Sequence, residues 1–87
     1  MKISIKNKSS RTKEEYYNNQ VQWLTVKPFQ SNILGLTLCL QNANGLGRKI
    51  PISDTTILTR ENISAYGYFW FEYSSTDKDY DVTVTLD

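Results

Sequence analysis

The stretch Leu34-Gly-Leu-Thr-Leu-Cys-Leu-Gln41 decides the fold class of this 87-residue chain. Leucine occupies every second position, which is typical of a β-strand with one buried face. Asn42-Ala-Asn-Gly-Leu-Gly47 follows, and its Asn44-Gly45 pair suits a tight reversal because both residues tolerate positive φ. These residues predict a hairpin. Its second strand, residues 48–52, is expected at a sheet edge, since Pro51 has no backbone N–H.

The same alternation recurs along the rest of the chain. It is found in residues 2–6, 20–27, 66–74 and 80–86, and the β-branched residues 55–59 form a further short candidate. Residues 10–17 are the one segment that suggests a helix, although Ser53-Asp54 could also start a single helical turn. Six or seven short strands without βαβ spacing predict an all-β fold, an antiparallel sandwich or small barrel with at most one short helix. We expect one domain over residues 1–87.

The last two predicted strands are joined by the polar residues 75–79 and are expected to form a hairpin. In the final strand, the apolar positions must face the core because the alternating positions are polar. In the strand before it, Phe69, Phe71 and Tyr73 share the core side. The outer face would then carry Tyr66, Tyr68, Trp70 and Glu72 beside Asp81, Thr83 and Thr85.

This arrangement predicts an exposed aromatic patch rimmed by acidic residues. Tyrosine and tryptophan are enriched at interface hot spots, and exposed apolar patches mark interaction sites. The predicted partner-binding residues are Tyr66, Tyr68, Trp70, Glu72, Asp77, Asp79 and Asp81. The alternative is that this strand lies at the centre of its sheet and that the N-terminal segment, with Tyr16 and Tyr17, covers its outer face.

Catalytic and metal chemistry are poorly represented in the sequence. Histidine is absent, which excludes Ser-His and Cys-His catalysis. Cys39 alternates with the leucines, so we expect a structural role for it. Asp77, Asp79 and Asp81 lack the glycine and the distal glutamate of an EF-hand loop, and residues 45–49 lack the full glycine spacing of a phosphate loop. We expect no enzyme, no metal and no cofactor.

Charge and cysteine content favour a cytoplasmic protein without a membrane partner. Ten basic and nine acidic residues leave a formal charge of +1, too little to attract nucleic acid or anionic lipid. Half of the basic residues lie in the first thirteen positions and most acidic residues lie near the end. These are solubilising charges or, alternatively, the two poles of a surface with an acidic binding edge. A single cysteine and the lack of a signal sequence fit a reducing compartment.

Residues 64–71 resemble the aromatic octamer of RRM-type RNA-binding domains. Tyr66, Gly67, Tyr68 and Phe71 fit that pattern, and residues 3–7 resemble the partner strand. The resemblance implies binding of single-stranded RNA on a sheet. However, only sixteen residues follow Phe71, which is too few for the helix and strand that an RRM requires there.

The sequence thus favours a small intracellular inhibitor or immunity-type protein. Its acidic aromatic face would cover the functional surface of a toxin or nuclease with a basic cleft. One alternative is a carbohydrate-binding module that uses Tyr66, Tyr68 and Trp70 as a stacking platform. Another is a single-stranded nucleic-acid binder, although nucleic acid is not expected because basic residues are not clustered beside the aromatics. The partner's identity and the oligomeric state stay open.

Overall fold

The computed structural model describes residues 1–74 and 77–87. Within these ranges the chain forms eight β-strands and one four-residue helix. They are, in chain order, β1 (Lys2–Ile5), β2 (Glu15–Tyr16), β3 (Trp23–Lys27), β4 (Leu36–Gln41), β5 (Gly47–Pro51), β6 (Thr56–Thr59), α1 (Arg60–Ile63), β7 (Tyr68–Tyr73) and β8 (Tyr80–Leu86). The all-β prediction is confirmed.

The strands form two four-stranded antiparallel sheets that pack together as a sandwich. Sheet A has the strand order β1-β8-β3-β6, and sheet B has the order β2-β7-β4-β5. The central strands are therefore β8 and β3 in one sheet and β7 and β4 in the other. In the described part of the chain the sheets do not close into a barrel.

The period-two alternation produces the core between the sheets. The predicted inward residues Phe69, Phe71, Val82 and Val84 are all 0% exposed, so the predicted core faces of both strands are confirmed. Leu34 is the exception: it is 85% exposed because Gly35 takes a positive φ of +83° and β4 begins only after it.

The hairpin between β4 and β5 also matches the prediction. Gly45 has a φ of +84°, the conformation for which glycine is suited. The side-chain oxygen of Asn42 accepts hydrogen bonds from the backbone N–H groups of Asn44 (2.9 Å) and Leu46 (3.0 Å). The second strand lies at the edge of sheet B, as Pro51 predicted.

The predicted hairpin of the last two strands is wrong. β7 pairs with β2 and β4, whereas β8 pairs with β1 and β3, so the two strands belong to opposite sheets. Tyr73 and Tyr80, which flank the connection, both pack against Phe29, with ring centroids 5.9 and 4.2 Å away. This aromatic cluster covers the end of the sandwich where the chain passes between sheets. The predicted turn residues 75 and 76 lie outside the described residues.

The helix predicted in residues 10–17 is also wrong. This segment is extended and pairs with β7: the N–H of Thr12 donates to the carbonyl of Phe71 at 2.9 Å, and the N–H of Phe71 donates to the Thr12 hydroxyl at 2.9 Å. The two residues of β2 continue this pairing. The helix in the described residues is α1, where the side chain of Asn62 accepts from the Thr59 N–H at 3.2 Å.

Candidate functional site

Three aromatic rings lie in a row on the outer face of sheet B. Tyr16 in β2 is paired with Tyr68 in β7, and their ring centroids are 5.5 Å apart. Trp70 follows two residues along β7 and therefore points to the same side, with its ring 6.0 Å from that of Tyr68 and tilted by 26°. We call Tyr16, Tyr68 and Trp70 the aromatic face.

Hydrogen bonds hold the rings of Tyr68 and Trp70 in place. The Tyr68 hydroxyl donates to the side-chain oxygen of Gln41 at 2.6 Å, and the amide nitrogen of Gln41 donates to the Gly45 carbonyl at 3.2 Å. The indole N–H of Trp70 donates to Glu72 at 3.2 Å. The Tyr68 and Trp70 rings are thus held in fixed positions on sheet B by their hydrogen bonds.

The aromatic face is partly covered by the N-terminal segment. The guanidinium of Arg11 lies over Trp70, 4.3 Å from the ring centroid, and Arg11 also bonds to Glu14 at 2.5 Å. Trp70 is consequently only 8% exposed, whereas Tyr16 is 76% exposed and Tyr68 is half-buried. The rings accessible to a partner are therefore Tyr16 and Tyr68.

Charges on this face occur as ion pairs. The amine of Lys49 lies 3.2 Å from Glu72, whose other oxygen accepts from Trp70. The hydrogen bond from Trp70, with a further contribution from Lys49, lowers the pKa of Glu72. Cys39 lies on the same outer face, directly across from Trp70 on the neighbouring strand β4, and is 1% exposed. Burial raises the pKa of its thiol to about 11, so the thiol is neutral at physiological pH.

The predicted binding residues do not form one site. Tyr68, Trp70 and Glu72 lie together on the outer face of sheet B, as expected, but the predicted exposure of Trp70 is wrong because this residue is 8% exposed. Tyr66 precedes β7 and packs against the hydrophobic core instead. Tyr17 lies close to Tyr66, and its hydroxyl donates to the Ile63 carbonyl at 2.7 Å. Burial, together with the nearby Tyr66, raises the pKa of Tyr17 to about 12.

The aspartates that were predicted to rim the aromatics lie elsewhere. Asp81 is in β8 and faces outward from the opposite sheet, beside Ser4. Asp79 accepts from the Asn7 N–H at 2.7 Å and lies 3.7 Å from the Lys6 amine. Asp77 accepts from the Tyr80 hydroxyl, a bond that lowers the pKa of Asp77. The acidic rim is therefore wrong, because it depended on pairing β7 with β8.

A second exposed patch was not predicted from the sequence. Trp23 is 51% exposed and Ile57 is 62% exposed, both on the outer face of sheet A. The alternation of Trp23, Thr25 and Lys27 with the buried Leu24 and Val26 could have placed Trp23 outside. We call Trp23 and Ile57 the apolar stripe.

Comparison with protein-family models, with curated proteins and with solved structures gives no match. The fold is an antiparallel β-sandwich, and the outer face of its sheet B carries a row of aromatic side chains. Among residues 1–74 and 77–87, no helix is long and apolar enough to cross a membrane. The same residues contain no cluster of three or more histidine, cysteine, aspartate or glutamate side chains suited to a metal ion.

Proposed function

We propose that this chain is a small binding protein of the inhibitor or immunity type, which covers a functional surface of another protein with its aromatic face. The observation that carries the proposal is the position of Tyr16. It is 76% exposed on a strand that is paired with β7, 5.5 Å from Tyr68. Two adjacent tyrosines on a rigid sheet supply large contact area at low conformational cost.

The charge pattern bears on the kind of partner. Beside the aromatic face, Arg11 forms an ion pair with Glu14, and Lys49 forms one with Glu72. The positive and negative charges of these four side chains therefore balance. Recognition would then depend on burying the tyrosine rings and on their hydroxyls rather than on net charge. A basic cleft on the partner is not required by this surface, although a toxin or enzyme remains the proposed class of target.

A carbohydrate-binding role is the second candidate. It is favoured by the spacing of the three rings, whose centroids are 5.5 and 6.0 Å apart, and by the polar groups of Gln41 and Glu72 at the margin. The position of the Arg11 guanidinium over the Trp70 ring is evidence against a carbohydrate-binding role, because a sugar can stack only on an open ring face.

A capture experiment separates these candidates. Tagged wild-type protein and a Tyr16→Ala/Tyr68→Ala double variant are passed over lysate of the source cells, with Thr83→Ala as a control on the opposite sheet. The proposal expects one protein to be retained by the wild type and by Thr83→Ala but lost from the double variant. Retention of that protein by the wild type and by both variants would contradict the proposal. Binding of a glycan array that is lost in the double variant would establish the carbohydrate role instead.

A further inference from the structure

The four sheet edges differ in how they are protected from pairing with another chain. Native edge strands are commonly blocked by charged side chains, by proline or by being very short. β1 contains Lys2, β5 contains Arg48, Lys49 and Pro51, and β2 has two residues. β6, with the sequence Thr56-Ile-Leu-Thr59, is the edge strand in the described residues that lacks both charge and proline.

The backbone N–H and C=O groups of Ile57 are directed to the free edge of sheet A. Trp23 in β3 exchanges two hydrogen bonds of 3.0 Å with Asp87 on the side of β8. Because successive residues of an antiparallel strand bond to opposite sides, Leu24 bonds towards its partner Leu58 in β6. The residue next to Leu58, Ile57, therefore directs its N–H and C=O to the free edge.

The free edge is limited on one side by α1. The N–H of Thr59, which points the same way as that of Ile57, already donates to Asn62 at 3.2 Å. The open backbone groups are therefore centred on Ile57. A partner strand must pair at this residue.

We propose that β6 pairs antiparallel with β6 of a second copy of this chain, with Ile57 of the two copies opposite each other. Pairing a strand with its own copy gives an isologous two-fold contact. The axis runs perpendicular to the sheet through the Ile57 pair. Sheet A then continues across the dimer.

Charge complementarity supports this register. Asp54 precedes β6, and Arg60, the first residue of α1, directly follows it; both are exposed. When β6 pairs antiparallel with its own copy about Ile57, the strand end that carries Asp54 in one copy lies beside the end that carries Arg60 in the other, once on each side of the axis. Between these charges, the uncharged β6 brings no like charges together at the axis.

The apolar stripe also becomes continuous across the axis. Ile57 is 62% exposed and is paired with Thr25 in β3. Trp23, two residues along β3, is thus a diagonal neighbour of Ile57, a distance that large aromatic side chains span. In the dimer, Ile57 contacts its own copy, and the two stripes form one line from Trp23 of one copy to Trp23 of the other. The surface that the monomer leaves in water is reduced.

The test is the mass of the purified protein in solution as a function of concentration. A strand of this length buries less than a standard interface, so we expect a monomer–dimer equilibrium with a dissociation constant of about 100 µM, measured by sedimentation equilibrium. A wild-type protein that is monomeric up to about 1 mM would overturn the proposal, and would leave this edge to an extended segment of another protein.

Two variants test the register. Ile57→Lys places two like charges at the axis and should weaken association at least about tenfold, with an unchanged melting temperature because the side chain is exposed. Leu34→Lys is the matched control, since Leu34 is 85% exposed and lies outside β6. Equal weakening by both variants would overturn the proposal.

The charge pair gives an independent result. Asp54→Arg brings an arginine to the strand end that lies beside Arg60 of the second copy and should weaken association by about threefold to tenfold. The double variant Asp54→Arg/Arg60→Asp restores opposite charges across the axis and should recover most of the affinity. Failure of the double variant to recover would contradict the Ile57-centred register.

Discussion

The guanidinium of Arg11 lies 4.3 Å from the centre of the Trp70 ring. The two residues are brought together by the bridge between Arg11 and Glu72, next to Trp70 on β7. This contact converts a tryptophan on an outer sheet face into a residue that is 8% exposed. Trp70 is therefore covered, whereas the rings of Tyr16 and Tyr68 remain accessible.

Trp70→Ala should therefore destabilise the protein. Removing this nearly buried tryptophan leaves a cavity beside Cys39 and removes the N–H group that donates to Glu72. We therefore expect the free energy of unfolding to fall by about 3 kcal/mol. Phe71→Ala, in the core, should cost about 3–5 kcal/mol. Urea denaturation of both variants gives these values. A Trp70→Ala variant as stable as the wild type would show that the ring does not pack as described.

Replacing Arg11 tests directly whether its guanidinium shields the Trp70 ring from water. Arg11→Ala in a Trp23→Phe background should cost about 1 kcal/mol and shift the fluorescence of the remaining Trp70 to longer wavelength, because water reaches the ring. Lys13→Ala is the matched control, as Lys13 is exposed. An identical emission maximum for Arg11→Ala and Lys13→Ala would contradict the cation–π contact.

The two sides of β4 should respond differently to truncation. Leu38 is 0% exposed between the sheets, so Leu38→Ala should cost about 2–5 kcal/mol. Thr37 is half-buried on the outer face, and Thr37→Ala should cost less than about 1 kcal/mol. Chemical denaturation of the pair measures the difference. Equal losses would mean that the outer face of sheet B is as densely packed as the core.

Alkaline pH should reduce stability through Cys39. Burial raises the pKa of this thiol from 9.0 to about 11, so its contribution is complete below about pH 9 and is lost as the pH rises towards 11. Tyr17 acts in the same direction in a higher window, since its pKa is raised from 10.0 to about 12. Between about pH 8.5 and 10.5, the free energy of unfolding should fall more for the wild type than for Cys39→Ala. Parallel pH profiles would show that the thiol is not protected by the fold.

Local sequence features predicted the parts of the fold that depend on neighbouring residues. The Asn44-Gly45 reversal, the edge position of Pro51 and the inward side of Phe69 and Phe71 all follow from turn chemistry and period-two alternation. These features act within a few residues. For this reason they could be identified without knowing the strand order.

Sheet membership could not be predicted, because it is decided by contacts between distant residues. Thr12 pairs with Phe71 although they are 59 residues apart, which keeps residues 10–17 extended along β7 instead of helical. Strands β7 and β8 are close in sequence and alternate strongly, so local reasoning paired them. The predicted acidic rim was wrong for the same reason, since Asp81 and Tyr68 lie on strands of opposite sheets.

We propose that the exposed tyrosines of the aromatic face, Tyr16 and Tyr68, bind the partner. The most direct measurement is the affinity of the captured partner protein for wild type, Tyr16→Ala, Tyr68→Ala and Thr83→Ala, with melting temperatures as a check on folding. We expect each tyrosine variant to lose about 2 kcal/mol, or about thirtyfold in affinity, and Thr83→Ala on sheet A to bind like the wild type. Unchanged binding by both tyrosine variants, or a comparable loss with Thr83→Ala, would contradict the proposal.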